Sequence, residues 1–380
     1  MFGSSNGLNV FMDNVRVIAF YLPQYHPIPE NNAWWGKGFT EWTNVTKARP
    51  LFRGHYQPHV PADLGFYDLR VAESREAQAD LARQYGVTGF CYYHYWFAGN
   101  QLLNRPFDEV LASGRPDFPF CLCWANENWT RVWDGGESQV LMEQTYSEQD
   151  DRAHIRWLTR AFADERYIRI DGKPLFIIYR AHKLPDIRKT TAIWREECRR
   201  LGIGEVFLCR VDTAFDTFSP SEVGLDAAVE FQPDWWELGP PLGSPGRGLR
   251  HFRWNDVRFL LRRKFFGDST SVQNYSHLVS SMSKRALPQY PRFPCITPSW
   301  DNSPRRRHGA IVFIGSSPAL FQQWAANMLA KLKNSTNTPP ILFINAWNEW
   351  AEGNHLEPDQ RYGRSYLEAL RDALQSVDGR

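Results

Sequence analysis

The sequence predicts an α/β fold: a single (β/α)8 TIM-type barrel with long loops after its strands. Three observations support this prediction. Short apolar runs recur along the chain and have the composition of parallel strands buried on both faces. Helical apolar patterns separate these runs, as crossovers between parallel strands require. Eight runs can be counted, which is the number that closes a parallel barrel.

The predicted strands span residues 15–20, 89–91, 118–123, 175–178, 206–209, 227–229, 295–297 and 341–346. Polar and aromatic residues follow most of them. Because barrel strands present functional groups at their carboxyl ends, we take these residues as a candidate site. The candidates are Tyr21, Gln24, His26, Tyr93, His94, Trp96, Trp124, Asn126, Glu127, Trp129, Glu230, Gln232, Trp300, Asp301, Trp347, Asn348, Glu349 and Glu352.

Helices are predicted between the strands. Ile155, Leu158 and Phe162 lie at i, i+3 and i+7, and Ser147 followed by Asp150 resembles a capping box at the start of that helix. Two further apolar stripes are Leu320, Phe321, Trp324, Met328 and Leu332, and Tyr366, Leu367, Leu370 and Leu374. These stripes are core faces, so we attach no chemistry to them.

Three connections, residues 22–68, 126–146 and 232–294, are too long to be plain turns. Each follows the carboxyl end of a strand, where it can cover a site. The first is rich in aromatic residues, which predicts an ordered loop that helps to wall a cleft. No linker divides the chain, so we expect one barrel domain over residues 15–380 after a tail of residues 1–14.

The net charge of +2, from 44 basic and 42 acidic residues, argues against a nucleic-acid partner. No disulfide framework, metal-ligand spacing, phosphate-binding loop or dinucleotide-binding turn appears, so we expect no metal and no cofactor. The amino terminus lacks a signal-peptide pattern and no apolar run is long enough to span a membrane. The expected location is therefore cytoplasmic.

Two basic stretches stand out. Residues 247–264 interleave arginines with aromatic residues, which suits either contact with an anionic membrane surface or an exposed barrel helix. Arg305, Arg306 and Arg307 follow the seventh predicted strand. They suit either a phosphate or acidic sugar, or a solvated loop.

Glu349 and Glu352 suit glycosidic chemistry, in which one carboxyl protonates the departing oxygen and the other acts as base or nucleophile. The same spacing also occurs in helix first turns, where the dipole favours acidic residues. Neighbouring Trp and Asn residues directly after a buried strand favour the site. We also expect sugar rings to stack on some of five tryptophans, Trp96, Trp124, Trp129, Trp300 and Trp347, and the others to be core.

Five motifs carry a resemblance to a known family: Phe20-Tyr-Leu-Pro-Gln-Tyr-His-Pro27, Gly38-Phe-Thr-Glu-Trp42, Gly89-Phe-Cys-Tyr-Tyr-His-Tyr-Trp-Phe97, Cys123-Trp-Ala-Asn-Glu-Asn-Trp129 and Trp347-Asn-Glu-Trp-Ala-Glu-Gly353. They resemble the WbsX family, which is labelled as glycosyltransferases of bacterial surface-polysaccharide biosynthesis. That family is similar to glycoside hydrolase family 99, the endo-acting α-mannosidases. The resemblance extends from about residue 15 to about residue 366.

The resemblance implies specific roles. Glu349 is expected to be the base that deprotonates the sugar's own 2-hydroxyl, and Glu352 the acid. The 2-oxygen then attacks C1 to form a 1,2-anhydro sugar, which water or another hydroxyl opens with net retention. This favours a retaining endo-mannosidase-like hydrolase or transglycosylase that acts on an oligosaccharide or polysaccharide of the bacterial surface.

Two alternatives stay open at this point. The first is a WbsX-type glycosyltransferase, which the expected location and the spacing of Glu349 and Glu357 favour. The absence of an Asp-x-Asp motif and of a nucleotide loop speaks against it. The second is a glycan-binding protein without catalysis, which retention of both glutamates disfavours. The sequence leaves the sugar, the linkage and the oligomeric state open.

Overall fold

A ring of parallel strands surrounded by helices forms the centre of the protein and confirms the predicted barrel. The computed structural model describes residues 15–131, 136–212, 218–241, 270–306 and 308–377. The barrel strands are β1 (Arg16–Tyr21), β2 (Gly89–Phe97), β3 (Phe120–Trp124), β4 (Lys173–Ile178), β5 (Phe207–Asp212), β6 (Ala227–Glu230), β7 (the two segments Arg292–Phe293 and Cys295–Ile296) and β8 (Ile341–Ile344).

The split strand β7 closes the ring. Its first segment pairs in parallel with β6 and its second with β8. Pro294, which separates the segments, has no N–H to donate, but its carbonyl accepts a hydrogen bond from the Phe343 N–H at 2.8 Å. The predicted strand 295–297 thus begins earlier than expected, since Arg292 and Pro294 interrupt the apolar pattern.

Helices surround the strands in the described residues. They are α1 (Pro29–Trp35), α2 (Glu41–Lys47), α3 (Ala72–Gln84), α4 (Arg105–Ser113), α5 (Glu148–Phe162), α6 (Ile187–Arg200), α7 (Tyr275–Lys284), α8 (Pro318–Lys333) and α9 (Ser365–Ser376), with 3-10 turns at Ala181–Lys183, Pro220–Val223 and Trp350–Glu352. Within this part of the chain, each helix is either too short or too polar to cross a membrane.

The predicted start of α5 is confirmed. The Ser147 hydroxyl accepts a hydrogen bond from the Asp150 N–H at 3.1 Å, so it satisfies one of the N–H groups that a helix start leaves unpaired. Ser317 caps α8 in the same way, with Pro318 at the first helical position. The predicted apolar residues of α5, Ile155, Leu158 and Phe162, are fully buried.

Alternation along each strand divides its side chains between the barrel interior and the helix layer. The Phe20 ring lies 5.6 Å from the rings of Tyr93 and Phe343, on the two strands that flank β1. Tyr21, the next residue, donates a hydrogen bond from its hydroxyl to Gln78 on α3. Neighbouring residues at a strand end therefore reach different environments.

The long connections carry structure of their own. The first contains α1 and α2, and the second contains a hairpin of Trp129–Arg131 with Gly136–Met142. In the third, the basic stretch 247–264 lies outside the described residues. A short parallel pair joins Ser271–Asn274, in the connection before β7, to Ile311–Ile314, in the connection after β7.

The packing of α8 yields a stability prediction. Trp324 is fully buried, with its ring 6.2 Å from that of Tyr275 on α7. We expect Trp324→Ala to destabilise the fold by about 3–5 kcal/mol, because it removes buried area and leaves a cavity. Thermal unfolding measures the loss, with Gln323→Ala on the exposed side of the same helix as the control. Equal melting temperatures for the two variants would contradict this packing.

Candidate active site

A cleft of about 540 Å³ opens at the carboxyl ends of the barrel strands. Its walls come from the connections after β1, β3, β4, β6, β7 and β8 and from β2 itself. They include Gln24, Trp35, Tyr93, Tyr95, Glu127, Trp129, Tyr179, Arg180, Phe231, Trp235, Trp300, Asn302, Arg305, Arg306, Glu349 and Glu352. Glu349 and Glu352 thus share one cleft with tryptophan and tyrosine walls.

A tight turn after β8 brings the two glutamates together. Asn348–Glu349 pairs antiparallel with Asn354–His355, and the 3-10 turn Trp350–Glu352 connects them. Because a 3-10 turn repeats every three residues, it returns Glu352 to the side of Glu349. The side chain of Glu349 is 7% exposed and that of Glu352 is 20% exposed.

The turn is held from behind by the loop after β7. The Asp301 N–H donates to the Glu352 carbonyl at 2.6 Å. Gly353 has a φ of 56°, and a Cβ at this position would lie 2.9 Å from the Asp301 Cβ. Glycine is therefore required here both for its backbone conformation and for this close approach. The Asp301 carboxylate is in turn held by His55 at 2.6 Å and Gln57 at 2.7 Å.

Arg305 links the two glutamates to a third carboxylate. Its Nη2 lies 2.8 Å from Glu349, its Nη1 lies 2.7 Å from Glu352, and its Nε donates to Glu41 at 2.7 Å. Glu41, the first residue of α2, is fully buried, and Arg305 is 13% exposed. Each of three nitrogens of one guanidinium thus contacts a different carboxylate, which the fork geometry of arginine permits.

The cluster has more negative than positive groups. Burial raises the pKa of Glu349 to about 8; Arg305 opposes this shift, whereas Glu352 and Glu41 add to it. Burial likewise raises the pKa of Glu352, and Arg305 again opposes the shift. The three carboxylates hold the pKa of the Arg305 guanidinium well above its usual range. Burial and the excess of negative charge therefore both favour a proton on the Glu349/Glu352 pair.

Seven of the sequence candidates line this cleft: Gln24, Tyr93, Glu127, Trp129, Trp300, Glu349 and Glu352. Glu127 is ion-paired with Arg180 at 3.1 Å and with Lys183 at 3.1 Å. The indole of Trp300 meets that of Trp235 edge to face at 5.3 Å. Of the five tryptophans considered as sugar platforms, Trp129 and Trp300 line the cleft, and the other three are buried elsewhere.

A second set of candidates faces the helix layer. The His94 ring stacks on Trp157, and its Nε2 lies 3.0 Å from that of His154 on α5. Trp96 donates its indole N–H to Asp150 at 2.9 Å. These side chains alternate with Tyr93 and Tyr95 along β2, and the period of two sends them outward. Other candidates packed away from the cleft are Tyr21, His26, Trp124, Gln232 and Trp347.

Three candidates do not line the cleft but form hydrogen bonds that fix the backbone of neighbouring connections. The Asn348 side chain accepts from the Leu22 N–H at 2.7 Å and donates to the Leu22 carbonyl at 3.0 Å, so it joins the β1 and β8 connections. Asn126 makes the same pair of bonds to the Arg180 backbone and joins the β3 and β4 connections. Asp301 supports the Glu352 turn as described above.

Glu230 lies in an adjoining cavity of about 450 Å³. This cavity shares Glu127, Tyr179, Arg180, Phe231 and Trp235 with the main cleft. Glu230 is buried and lies 3.4 Å from Arg292, an ion pair that keeps its charge compensated. Its carboxylate also accepts from the Cys295 N–H at 3.3 Å.

Several functional residues were not predicted. Glu41 occurs within one of the quoted motifs, but nothing local marks its carboxylate as part of the site. Arg305 was considered as a ligand for a phosphate or acidic sugar, whereas the structure places it against the protein's own carboxylates. Glu357, eight residues after Glu349 and five after Glu352, does not line the cleft; it accepts hydrogen bonds from Tyr67, Gln78 and the Trp350 indole.

The described residues contain one group with the ligand types of a metal site, His59, His355 and Asp359. His59 Nδ1 and His355 Nε2 lie 2.8 Å apart, and His355 Nδ1 lies 2.9 Å from the Glu357 carbonyl. If His355 donates to that carbonyl, its Nε2 accepts from the His59 Nδ1–H, so both nitrogens of the His355 ring have partners without an ion. This geometry fits a hydrogen-bonded support of the turn better than a metal site.

Comparison with known proteins gives a consistent classification. The sequence profile of the family described as "Glycosyltransferase WbsX" matches residues 17–370. A protein named "Uncharacterized protein WxcX" from Xanthomonas campestris pv. campestris is 45% identical over 359 residues, which cover 94% of this chain and 49% of that protein. The chain thus spans about half the length of the curated relatives it matches.

Two solved structures share the fold. A "Glycoside hydrolase-like protein" matches with a TM-score of 0.58 and 16% identity, covering 95% of this chain and 94% of its own. The GH99 endo-alpha-mannosidase from Bacteroides thetaiotaomicron matches with a TM-score of 0.54 and 13% identity, covering 95% and 97%. Both confirm a barrel of the kind found in glycoside hydrolases.

The raised pKa of Glu349 yields a prediction about stability and pH. Its folded pKa of about 8 exceeds the ordinary 4.5, so between these values the folded state binds more protons than the unfolded state. This contribution is complete below pH 4.5 and is lost as pH rises through 8. Glu349→Gln has no carboxyl to titrate at this position. The melting temperature of Glu349→Gln minus that of the wild type should therefore rise by a few degrees between pH 4.5 and pH 8.

Thermal unfolding at closely spaced pH values tests this expectation. Glu165→Gln, at an exposed glutamate, is the control and should follow the wild type at every pH. A difference between Glu349→Gln and wild type that stays constant with pH, or that shrinks as pH rises, would contradict the proton assigned to the cluster.

Proposed function

The chain belongs to the WbsX family, a family of carbohydrate-active enzymes, and from this premise we propose that it cleaves or transfers glycosidic bonds of a bacterial surface glycan. The proposed activity is that of a retaining, endo-mannosidase-like glycoside hydrolase or transglycosylase. One observation carries it: Glu349 and Glu352 contact the same guanidinium within an aromatic-walled cleft. We further propose that residues 15–380 form a single catalytic domain.

The walls suit a sugar substrate. Trp35, Trp129, Trp235 and Trp300 offer apolar faces, while Gln24, Asn302 and Glu127 offer hydrogen-bonding groups. A pyranose has an apolar face and a polar rim, so a site of this composition can bind both. The mannoside assignment rests on the family resemblance and on the name of the endo-alpha-mannosidase that shares the fold.

In the proposed reaction Glu349 removes the proton from the sugar's 2-hydroxyl as its oxygen attacks C1. Glu352 donates a proton to the departing oxygen, so the glycosidic bond breaks and a 1,2-anhydro sugar forms. Water or a sugar hydroxyl then opens the three-membered ring, and the two carboxyls return to their starting protonation. A carboxyl that acts on the 2-oxygen need not touch C1, so the separation of the pair does not itself set the stereochemistry.

The proton distribution of the site bears on these roles. Glu349 holds a proton more strongly than an ordinary carboxyl, which makes it a strong base once ionised but also a candidate acid. The proposed division therefore requires the shared proton to be on Glu352 when substrate is bound. The reversed division, with Glu349 as acid, is a second candidate that the raised pKa of Glu349 supports.

Leaving-group dependence tests the division of labour. Glu352→Gln should slow cleavage of poor leaving groups by about 10²- to 10⁴-fold and largely spare an activated aryl glycoside, whose departing group needs no proton. Glu349→Gln should impair both substrates, because the attacking oxygen is no longer activated. Steady-state kinetics on matched alkyl and aryl α-mannosides measure this. The opposite pattern would assign the acid role to Glu349.

A second candidate activity follows from the family's description as glycosyltransferases. It predicts consumption of nucleotide sugars, with release of the nucleotide, and no cleavage of activated glycosides by the wild type. Assaying both substrate types with the same preparation separates the two activities. If nucleotide sugars were consumed and neither glutamate substitution mattered, the hydrolase proposal would be wrong.

The aromatic walls give a binding prediction. Trp129→Ala and Trp300→Ala should each weaken oligosaccharide binding by about tenfold, because each loses a face on which a sugar ring can stack. Trp124→Ala is the comparison, since Trp124 is buried away from the cleft and should affect folding instead. Calorimetric titration and thermal unfolding of the three variants distinguish the two effects. Unchanged affinity in both cleft variants would remove these tryptophans from the site.

A further inference from the structure

The buried carboxylate of Glu41 belongs to the same cluster as the proposed acid and base, although its residue lies in a different loop. Its Oε1 accepts from Arg305 Nε at 2.7 Å, and in the described part of the chain its Oε2 has no hydrogen-bond partner. The residue is fully buried and does not line the cleft. A role in direct substrate contact therefore does not account for it.

Glu41 is rigidly mounted. Its N–H donates to the Gln24 carbonyl at 3.0 Å, which ties the start of α2 to the connection after β1. The next residue, Trp42, donates its indole N–H to the Tyr67 carbonyl and has its ring 5.6 Å from that of Trp350. Helix α2 therefore packs directly on the turn that carries Glu349 and Glu352, so Glu41 keeps a fixed position relative to them.

The bond to Nε has a geometric consequence. A guanidinium is planar, so fixing Nε in addition to one terminal nitrogen fixes where the other terminal nitrogen points. With Glu41 on Nε, Nη2 meets Glu349 at 2.8 Å and Nη1 meets Glu352 at 2.7 Å. Without Glu41, Arg305 could rotate toward either glutamate alone.

The negative charge of Glu41 has an electrostatic consequence. Besides Arg305, the groups that interact with the pair are Glu41, Tyr25, Tyr93, Tyr95, Tyr179 and Arg306. Burial raises the pKa of each of these tyrosine hydroxyls, so they are neutral at physiological pH. Arg306, which lines the cleft, lowers the pKa of Glu352. Three carboxylates thus compete for Arg305, and Glu41 raises the pKa of both Glu349 and Glu352.

We propose that Glu41 is a positioning residue of the proposed active site: through Arg305 it holds one guanidinium between Glu349 and Glu352, and as a third buried negative charge it makes that pair keep one proton. An acid and a base that work together need such a half-protonated pair. The proposal rests on the proposed function for its catalytic meaning, but its structural and electrostatic content can be tested without turnover.

The test follows the carboxyl protons directly. In protein labelled with ¹³C at glutamate carboxyls, NMR titration of the wild type should show a signal with a midpoint near pH 8 that is absent in Glu349→Gln. In Glu41→Gln, which keeps the side-chain shape and an oxygen for Arg305 but removes the charge, this midpoint should fall by about one pH unit or more. Glu41→Asp keeps the charge and should retain the high midpoint.

Two results would overturn the proposal. The first is an unchanged midpoint in folded Glu41→Gln. The second, which needs no variant at Glu41, is a wild-type protein in which the carboxyl signal that Glu349→Gln removes titrates below about pH 6, since burial with excess negative charge requires this signal to titrate higher. Glu41→Gln that fails to fold would leave the wild-type titration to decide.

Kinetics connect this test to function. With an alkyl glycoside, whose departing oxygen needs the proton of the pair, the high-pH limb of kcat/KM should move to lower pH in Glu41→Gln by the same amount as the NMR midpoint, whereas a purely structural role would lower the rate at all pH values alike. If the wild type cleaves no glycoside but the NMR midpoint still moves, the proposed function fails and the role of Glu41 stands. If glycosides are cleaved and neither the midpoint nor the limb moves, the proposed function stands and the proposed role of Glu41 fails.

Discussion

One largely buried guanidinium, that of Arg305, contacts three carboxylates, of which those of Glu41 and Glu349 are buried and that of Glu352 is partly exposed, and the arrangement of the cleft depends on these contacts. The carboxylates come from different parts of the chain: Glu41 is 264 residues from Arg305, and Glu349 is 44 residues away. Leaving any of these charges buried and unpaired would cost several kcal/mol. The connections after β1, β7 and β8 must therefore pack against one another, since only then can a single arginine reach all three acids.

The backbone of these connections is held by polar side chains that do not face the cleft. The Asn348 side chain forms hydrogen bonds with the N–H and the carbonyl of Leu22. The Asp301 N–H donates to the Glu352 carbonyl, and the Asp301 carboxylate is held by His55 and Gln57. Each bond crosses from one loop to another at the rim of the barrel. The positions of Glu349 and Glu352 thus depend on a layer of buried hydrogen bonds beneath them, as preorganised sites require.

The strands and the pair of glutamates could be predicted because their signals are local: an apolar run identifies a buried strand, and polar residues directly after it fall at the barrel mouth. Which of those residues face the cleft depends on the register of each strand, which the runs alone do not give. Tyr93 lines the cleft and His94 packs on α5 because side chains alternate, although both belong to one motif. The contact between Glu41 and Arg305 was not predicted because it is set by loop packing over a long sequence separation. The first segment of β7 was not predicted because Pro294 interrupts the apolar pattern.

An excess of buried carboxylates is a poor way to stabilise a fold, since an apolar cluster of the same volume would avoid the desolvation cost. Its presence in a cleft therefore favours a function for the charges themselves, and a raised pKa beside an ion-pair partner is characteristic of acid–base sites. On the proposed mechanism, hydrolysis and transfer use the same pair and the same proton, and they differ only in whether water or a sugar hydroxyl opens the anhydro ring. Arg305 and the three glutamates cannot distinguish these acceptors. On that mechanism the choice falls to the walls, where Glu127, Tyr179 and Arg180 line both the cleft and the adjoining cavity, so the proposal makes acceptor preference a property of the loops and not of the carboxylates.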